Sequence, residues 1–413
     1  MFSTFRDAFK VKELRQRMLY MLGVLFIIRI GVHLPVPGVD VKALSDMGSN
    51  GTIYSLITGG NYGTIFAMGI GPFITASIII QLLTVAIPKL EQLSKEGEEG
   101  RKKINQITRF VAVALAFLQG AGQIYSIKSA FTHANFWVYF VALVTMVTGT
   151  IFIMWLGEQL NEKGIGNGSS FIIFANILQG LKDGVMSLYV AGSGAGIMGI
   201  VKVIAILVIF VAVIYFVILV QDGERRIPVQ YSKKMVGRKT YGGQSSYIPI
   251  KVNIAGVMSI IFAISLLQFP STIYQIWQPT WLAKLKDFLD ISSPTGAILY
   301  VILIFAFTFF YTSFSFNPIE VAENIKRSGG FVPGIRPGKP TSDYIQTVVD
   351  RISLIGACFY AVIALVPVIL QWVFKIQVGF GGTTLLIVTG VALEIVKQLE
   401  AQMIVRHYKG FLG

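Results

Sequence analysis

A single cysteine, Cys358, occurs in the chain. Intrachain disulfides are therefore excluded and thiolate metal sites have no partner ligands. Its apolar surroundings predict a small buried packing residue. The three histidines, His33, His133 and His407, are far apart, with no spacing that brings two onto one helix face, so a histidine metal centre is not expected. No GxxxxGK[ST] loop is present; GNGSS at 166–170 lacks its lysine and a preceding strand, and reads instead as a helix start capped by Asn167 or Ser169. No nucleophile–base–acid set stands out, and no cofactor is implied. An intramembrane enzyme is thus a weak alternative.

Charge is scarce too. Only 14% of the 413 residues are charged while 54% are hydrophobic, which no soluble domain of this size sustains. The chain reads as an all-α polytopic membrane protein. Windows of about 20 apolar residues place spans near 18–34, 64–87, 104–126, 135–157 and 169–182, then near 196–220, 252–275, 296–317, 346–372 and 381–396. The basic start before Met18 leads into the first span without a small-residue cleavage site, so that span is expected to be an anchor.

The net charge of +14 is distributed by loop. The side holding the N-terminus, 89–103, 158–168, 221–251, 318–343 and the C-terminal tail carries roughly 25 Lys and Arg, against about 7 opposite. Both termini are therefore expected in the cytosol. Five spans per half, 1–182 and 183–413, permit an inverted repeat. SIIIQLL and AISLLQF, in the second and seventh spans, each carry a glutamine and each meet a proline, Pro88 or Pro270, which is a faint internal echo.

Ionisable groups inside the spans are few, which weighs against coupled transport. Arg29 invites either a snorkelling arginine or a structural pair, and Glu394 lies near the end of the last span beside Lys397. Gly69, Gly71 and Pro72 in the second span predict a helix tolerated only where protein or a water-lined cavity satisfies its freed backbone groups. An inverted-repeat solute transporter is the alternative reading.

Two loops exceed what a connector needs. In 221–251, Arg225, Arg226, Lys233, Lys234, Arg238 and Lys239 are interleaved with Tyr231, Tyr241 and Tyr247. Attraction to anionic membrane lipids, at about 1 kcal/mol per basic residue near the surface, and docking of an acidic partner or ribosomal RNA are compatible accounts. In 318–343, prolines 333, 337 and 340 with glycines 329, 330, 334 and 338 predict a shaped loop presenting Arg336 for forked hydrogen bonds. On the other side, 49–63 is nearly uncharged with an apolar centre, and is either an ordinary external loop or a segment folded back into the protein.

Seven stretches resemble the SecY family, the channel subunits of the bacterial protein translocon: FIIRIGVHLPVPGVD from Phe26, MGIGPFITASIIIQLL, KEGEEGRKKI, MWLGEQLNEKGIGNG, GQSSYIPIKVN, GGFVPGIRPGKPT and GGTTLLIVTGVALE. The resemblance covers essentially the whole chain. It implies a clamshell of ten transmembrane helices in two inverted five-helix halves, in the bacterial plasma membrane, passing unfolded secretory polypeptides and releasing hydrophobic segments sideways into lipid without catalysis. The family's pore ring falls on Ile70, Ile74, Ile173, Ile261 and Ile387. Branched aliphatics there exclude water yet yield around any passing side chain. Ser169 stands where the ring often has isoleucine, with Phe171 nearby. The resemblance further places lateral-gate residues at Thr75, Gln81, Asn253 and Phe269, and a plug, shorter than usual, over about 52–62 with Ile53, Tyr54, Leu56 and Ile57. Implied partners are the small subunits SecE and SecG, the motor ATPase SecA, ribosomes, and secretory and membrane-protein clients.

Overall fold

The computed structural model describes residues 6, 8–40, 63–133, 135–178, 196–231, 234–236, 239–241, 245–277, 284–285, 288–291, 293–374 and 382–409. The helices are α1 (Lys12–His33), α2 (Gly71–Ala86), α3 (Pro88–Lys95), α4 (Glu98–Ser126), α5 (Phe136–Lys163), α6 (Gly168–Leu178), α7 (Gly196–Asp222), α8 (Met258–Trp277), α9 (Pro294–Ser315), α10 (Pro318–Arg327), α11 (Lys339–Phe374) and α12 (Gly382–Lys409). Among the described residues six helical stretches are long and apolar enough to cross a membrane, or seven if α2 and α3, bent by 102°, form one broken span. α1, α4, α5, α11 and α12 extend past the apolar windows into charged turns. Hydropathy marks only the lipid-facing length, whereas pairs such as Glu99–Lys103, four residues apart at 3.5 Å, continue the helix into water.

The chain forms two compact units, one of residues 1–204, 268–288 and 374–413, the other of 205–267 and 289–373. In the first, small residues let backbones approach. Gly149 of α5 lies against the Ile65 carbonyl and Gly168 of α6 against that of Gly157, with no room for a Cβ at either. Ala67, Met68, Ala116, Ala142 and Met146 form a buried cluster beside them. The chain entering α2 is pinned to the end of α1, where Ile65 N donates to Leu34 O at 3.0 Å and Val36 N to Gly63 O at 2.8 Å.

The second unit departs from an all-α reading. Within 221–251 the described residues include strands β1 (Glu224–Tyr231), β2 (Lys234–Val236), β3 (Lys239–Tyr241) and β4 (Ser245–Lys251); with β5 (Gly330–Phe331) they make an antiparallel sheet ordered β4-β1-β5 and an antiparallel β2-β3 pair. The cause is alternation: Ile227 and Val229 turn inward while Arg226, Pro228 and Gln230 turn out. Ile227, Val229 and Ile250 pack on Ala322 and Ile325 of α10 and on Ile345, Val349 and Ile352 of α11. This is a water-soluble kind of core, mounted on helices that continue into the spans.

At the α3–α4 elbow a Cβ on Gly100 would overlap the Leu93 carbonyl oxygen, whereas Gly23 on α1 is exposed with open space around it. Gly100→Ala is therefore expected to destabilise the solubilised protein by about 1–3 kcal/mol. Gly23→Ala should be neutral or stabilising by up to about 1 kcal/mol. Thermal unfolding in detergent separates the two, and equal losses would remove the elbow as the cause.

Candidate functional site

The glycines and proline of the second span start a helix and do not interrupt one. Residues 63–70 form successive turns, with Gly69 at φ +52°. Helix α2 begins at Gly71 with Pro72 in its first turn, where a missing N–H costs nothing. The irregular backbone is buried, as the bilayer requires of unwound chain. Ile70 caps this start and is fully buried. Its Cδ1 meets Gly157 of α5 together with Ile172 Cδ1 and Ser169 Oγ from the start of α6. The two helix starts thus converge on one glycine.

Ile74 and Ile173 are buried in the same unit, as is Ile387 on α12; Ile261, on α8, is buried in the other unit. Ser169 is half-buried, and Phe171 is buried and stacked on Phe174 at 6.2 Å. Asn167 is the cap of α6, its Oδ1 accepting from Ser169 N at 3.0 Å and Ser170 N at 3.3 Å. Asn161 Oδ1 accepts from Gly168 N at 2.7 Å, so two asparagines satisfy the helix start.

Of the polar seam candidates, Thr75 Oγ1 donates to Gly71 O within its own helix at 3.1 Å. Gln81 Nε2 donates to Ser77 Oγ at 3.3 Å, and its buried Oε1 has no partner among the described residues. Asn253 Oδ1 accepts a hydrogen bond from Tyr360 of α11, a partner that sequence spacing did not reveal. Phe269 lies on α8, its side chain outside the described residues, as are Ile53, Tyr54, Leu56 and Ile57 entirely. Arg29 makes a structural bond: its guanidinium donates to Ala175 O of α6 at 2.5 Å. Cys358 corrects its expectation. It is exposed on α11, because an apolar neighbourhood in a membrane helix also describes a lipid-facing surface.

On the sheet, Arg225 and Arg226 are exposed. Arg226 lies 4.7 Å from the Tyr247 ring and donates to Glu224 at 2.7 Å. The Glu224 hydrogen bond raises its pKa further, with Tyr247 contributing, on a guanidinium that is charged at physiological pH in any case. Lys234 and Lys239 lie on the β2-β3 pair; Lys233 and Arg238 lie outside the described residues. Arg336 is exposed in a turn flanked by Gly334 and Gly338, both at positive φ. Gly330 is not a turn residue. It sits in β5, where a Cβ would press on Tyr231 and Val229. Among the described residues no three His, Cys, Asp or Glu side chains gather as metal ligands.

These features define a helical polytopic membrane protein with buried branched aliphatics along broken and short helices, and a rigid basic platform on one end of its spans. The SecY family model matches residues 64–396. The chain is 42% identical to the protein translocase subunit SecY of Streptomyces scabiei across 100% of both chains. A solved structure of a protein-conducting channel superposes with TM-score 0.68 at 19% identity, over 94% of this chain and 93% of that one. Sec61 from the canine ribosome–channel complex gives 0.63 at 17%, covering 94% and 93%. The chain belongs to the SecY family, which favours the conduit over the solute-transport and enzyme alternatives.

Buried Thr341 holds the Arg336 tip, its Oγ1 donating to Arg336 O at 2.8 Å. Thr341→Val keeps the volume and removes that bond, a loss of about 1 kcal/mol. Amide exchange over 333–338 should accelerate about fivefold, with the flanking helices unchanged; unaltered exchange would mean that the prolines alone fix the loop.

Proposed function

We propose that this chain is the protein-conducting subunit of a translocon, passing unfolded secretory polypeptides across the bacterial plasma membrane and releasing hydrophobic segments laterally into it. The observation that carries this reading is the match of residues 64–396 to the SecY family, and it is supported by Ile70, Ile74, Ile173, Ile261 and Ile387, the positions we assign to the pore ring, each being buried in its own unit. Branched side chains at a constriction exclude water and ions, yet their weak non-directional contacts yield to any passing residue.

In this reading ten transmembrane helices form two inverted halves, 1–182 and 183–413, with both termini cytosolic. Residues 52–62 plug the outer funnel, and Thr75, Gln81, Asn253 and Phe269 belong to a lateral gate. An arriving apolar helix opens the gate by binding the open state better than the closed one. The basic sheet and the Arg336 turn dock the motor ATPase SecA and the ribosome, while SecE and SecG complete the channel. The ribosome is supported by the likeness to Sec61 of a ribosome–channel complex and by seven Lys and Arg in 221–251.

A photocrosslinker at Ile74 or Ile261, in membranes containing the small subunits, motor and ATP, should capture a secretory precursor stalled midway. An engaged precursor that never crosslinks to an active probe would count against the conduit. Arg336→Glu should reduce motor-driven export at least about tenfold, the scale of losing a charge-assisted hydrogen bond, while the protein still assembles in the membrane. Normal export by that variant would remove the docking role.

A further inference from the structure

At the end of α4 and α5 away from the 89–103 and 158–168 loops, a cleft of about 420 Å³ is lined by Tyr125, Ser126, Lys128, Ser129 and Tyr139. We propose that it binds the phosphodiester headgroup of a phospholipid, at the membrane–water interface on that side. The inference rests on the membrane-spanning reading of α4 and α5 and not on the conduit function.

Three observations carry it. The lining holds one cation and four hydroxyl-bearing side chains and no carboxylate, so it suits an anionic, oxygen-rich group. The Tyr139 hydroxyl is buried and makes no hydrogen bond among the described residues, although its ring is fixed edge-on against Phe131 at 5.0 Å. A buried unpaired hydroxyl is destabilising unless something occupies it, and a phosphate oxygen is an acceptor for it. Lys128 is exposed and forms no ion pair among the described residues, leaving its ammonium for the same anion.

The surface of α5 within three residues of Tyr139 favours an anion that carries an acyl tail. Phe136, Trp137 and Phe140 are all exposed at the start of α5 and pack on one another with ring centroids 6.0–6.4 Å apart. Exposed aromatics clustered at a span terminus sit at headgroup level, where their rings meet the upper acyl chain. The two candidate sources of a phosphate, a lipid headgroup and the free anion, differ in needing that aromatic surface. We assign the lipid.

The test uses the purified complex with its small subunits, titrated with dioleoyl-phosphatidylglycerol in detergent and read by native mass spectrometry and thermal unfolding. Lys128→Gln and Tyr139→Phe should each weaken one bound lipid by about tenfold, and Lys95→Gln, on α3 at the other end, should not. Without added lipid Tyr139→Phe should unfold no earlier than the parent chain, because it deletes only an unpaired hydroxyl. Lipid-induced stabilisation should nevertheless shrink in that variant. Unchanged lipid retention in both variants, or equal loss in Lys95→Gln, overturns the site. Early unfolding of lipid-free Tyr139→Phe gives the hydroxyl a structural role and also overturns it. Displacement of the lipid by equimolar inorganic phosphate overturns the lipid assignment in favour of the free anion.

Discussion

Satisfaction of backbone polar groups in hydrocarbon governs everything else in this molecule. Helices meet it internally, so a break in a span is possible only under cover of protein. The turns before Gly71 are the clearest instance. They lie buried between the end of α1, whose Leu34 carbonyl takes the Ile65 N–H, and Gly149 of α5, where the absence of a side chain lets the Ile65 carbonyl approach. Glycine is required there for closeness, while Gly69 is required for its positive φ. Once the break is covered, Ile70 is held at a helix start, where its side chain is positioned by fixed backbone on both sides.

The same constraint ends at the water boundary, and the architecture changes there. Outside the spans, strands become possible because their edges can meet solvent, and 224–251 takes that option. The sheet is not an appendage, since its inner face shares one buried cluster with α10 and with α11. The charged residues on its outer face therefore ride on a rigid body. Arg226 illustrates the consequence: held against Tyr247 and Glu224, it loses less freedom on meeting a partner than a free arginine would.

Much of this was legible in the residues. Apolar length located most of the described helices, and local chemistry narrowed the cap of α6 to Asn167 or Ser169, of which Asn167 is the cap, and foresaw the turn at Arg336. The sheet was missed because a count of basic residues obscured a period of two: Ile227 and Val229 alternate with polar neighbours in plain view. Cys358 was misread because burial in protein and exposure to lipid select the same apolar residues. The Tyr360–Asn253 and Arg29–Ala175 bonds span sequence separations of 107 and 146 residues, and no local pattern encodes such pairs.

The distribution of chemistry follows from what a conduit must tolerate. A passage for chains of arbitrary sequence cannot present a strong polar site, because whichever residue matched it would stall there and every other residue would meet unpaired groups. The positions proposed for the ring accordingly carry isoleucine, and polar side chains such as Thr75 and Thr84 are occupied within their own helix, while Asn253 is held by Tyr360 of its own unit. In the proposed function, specificity is displaced to where water screens it and partners can leave, on the basic sheet and the Arg336 turn. An apolar interior and a charged rim are thus two consequences of one requirement on a conduit, that its interior favour no passing residue over another.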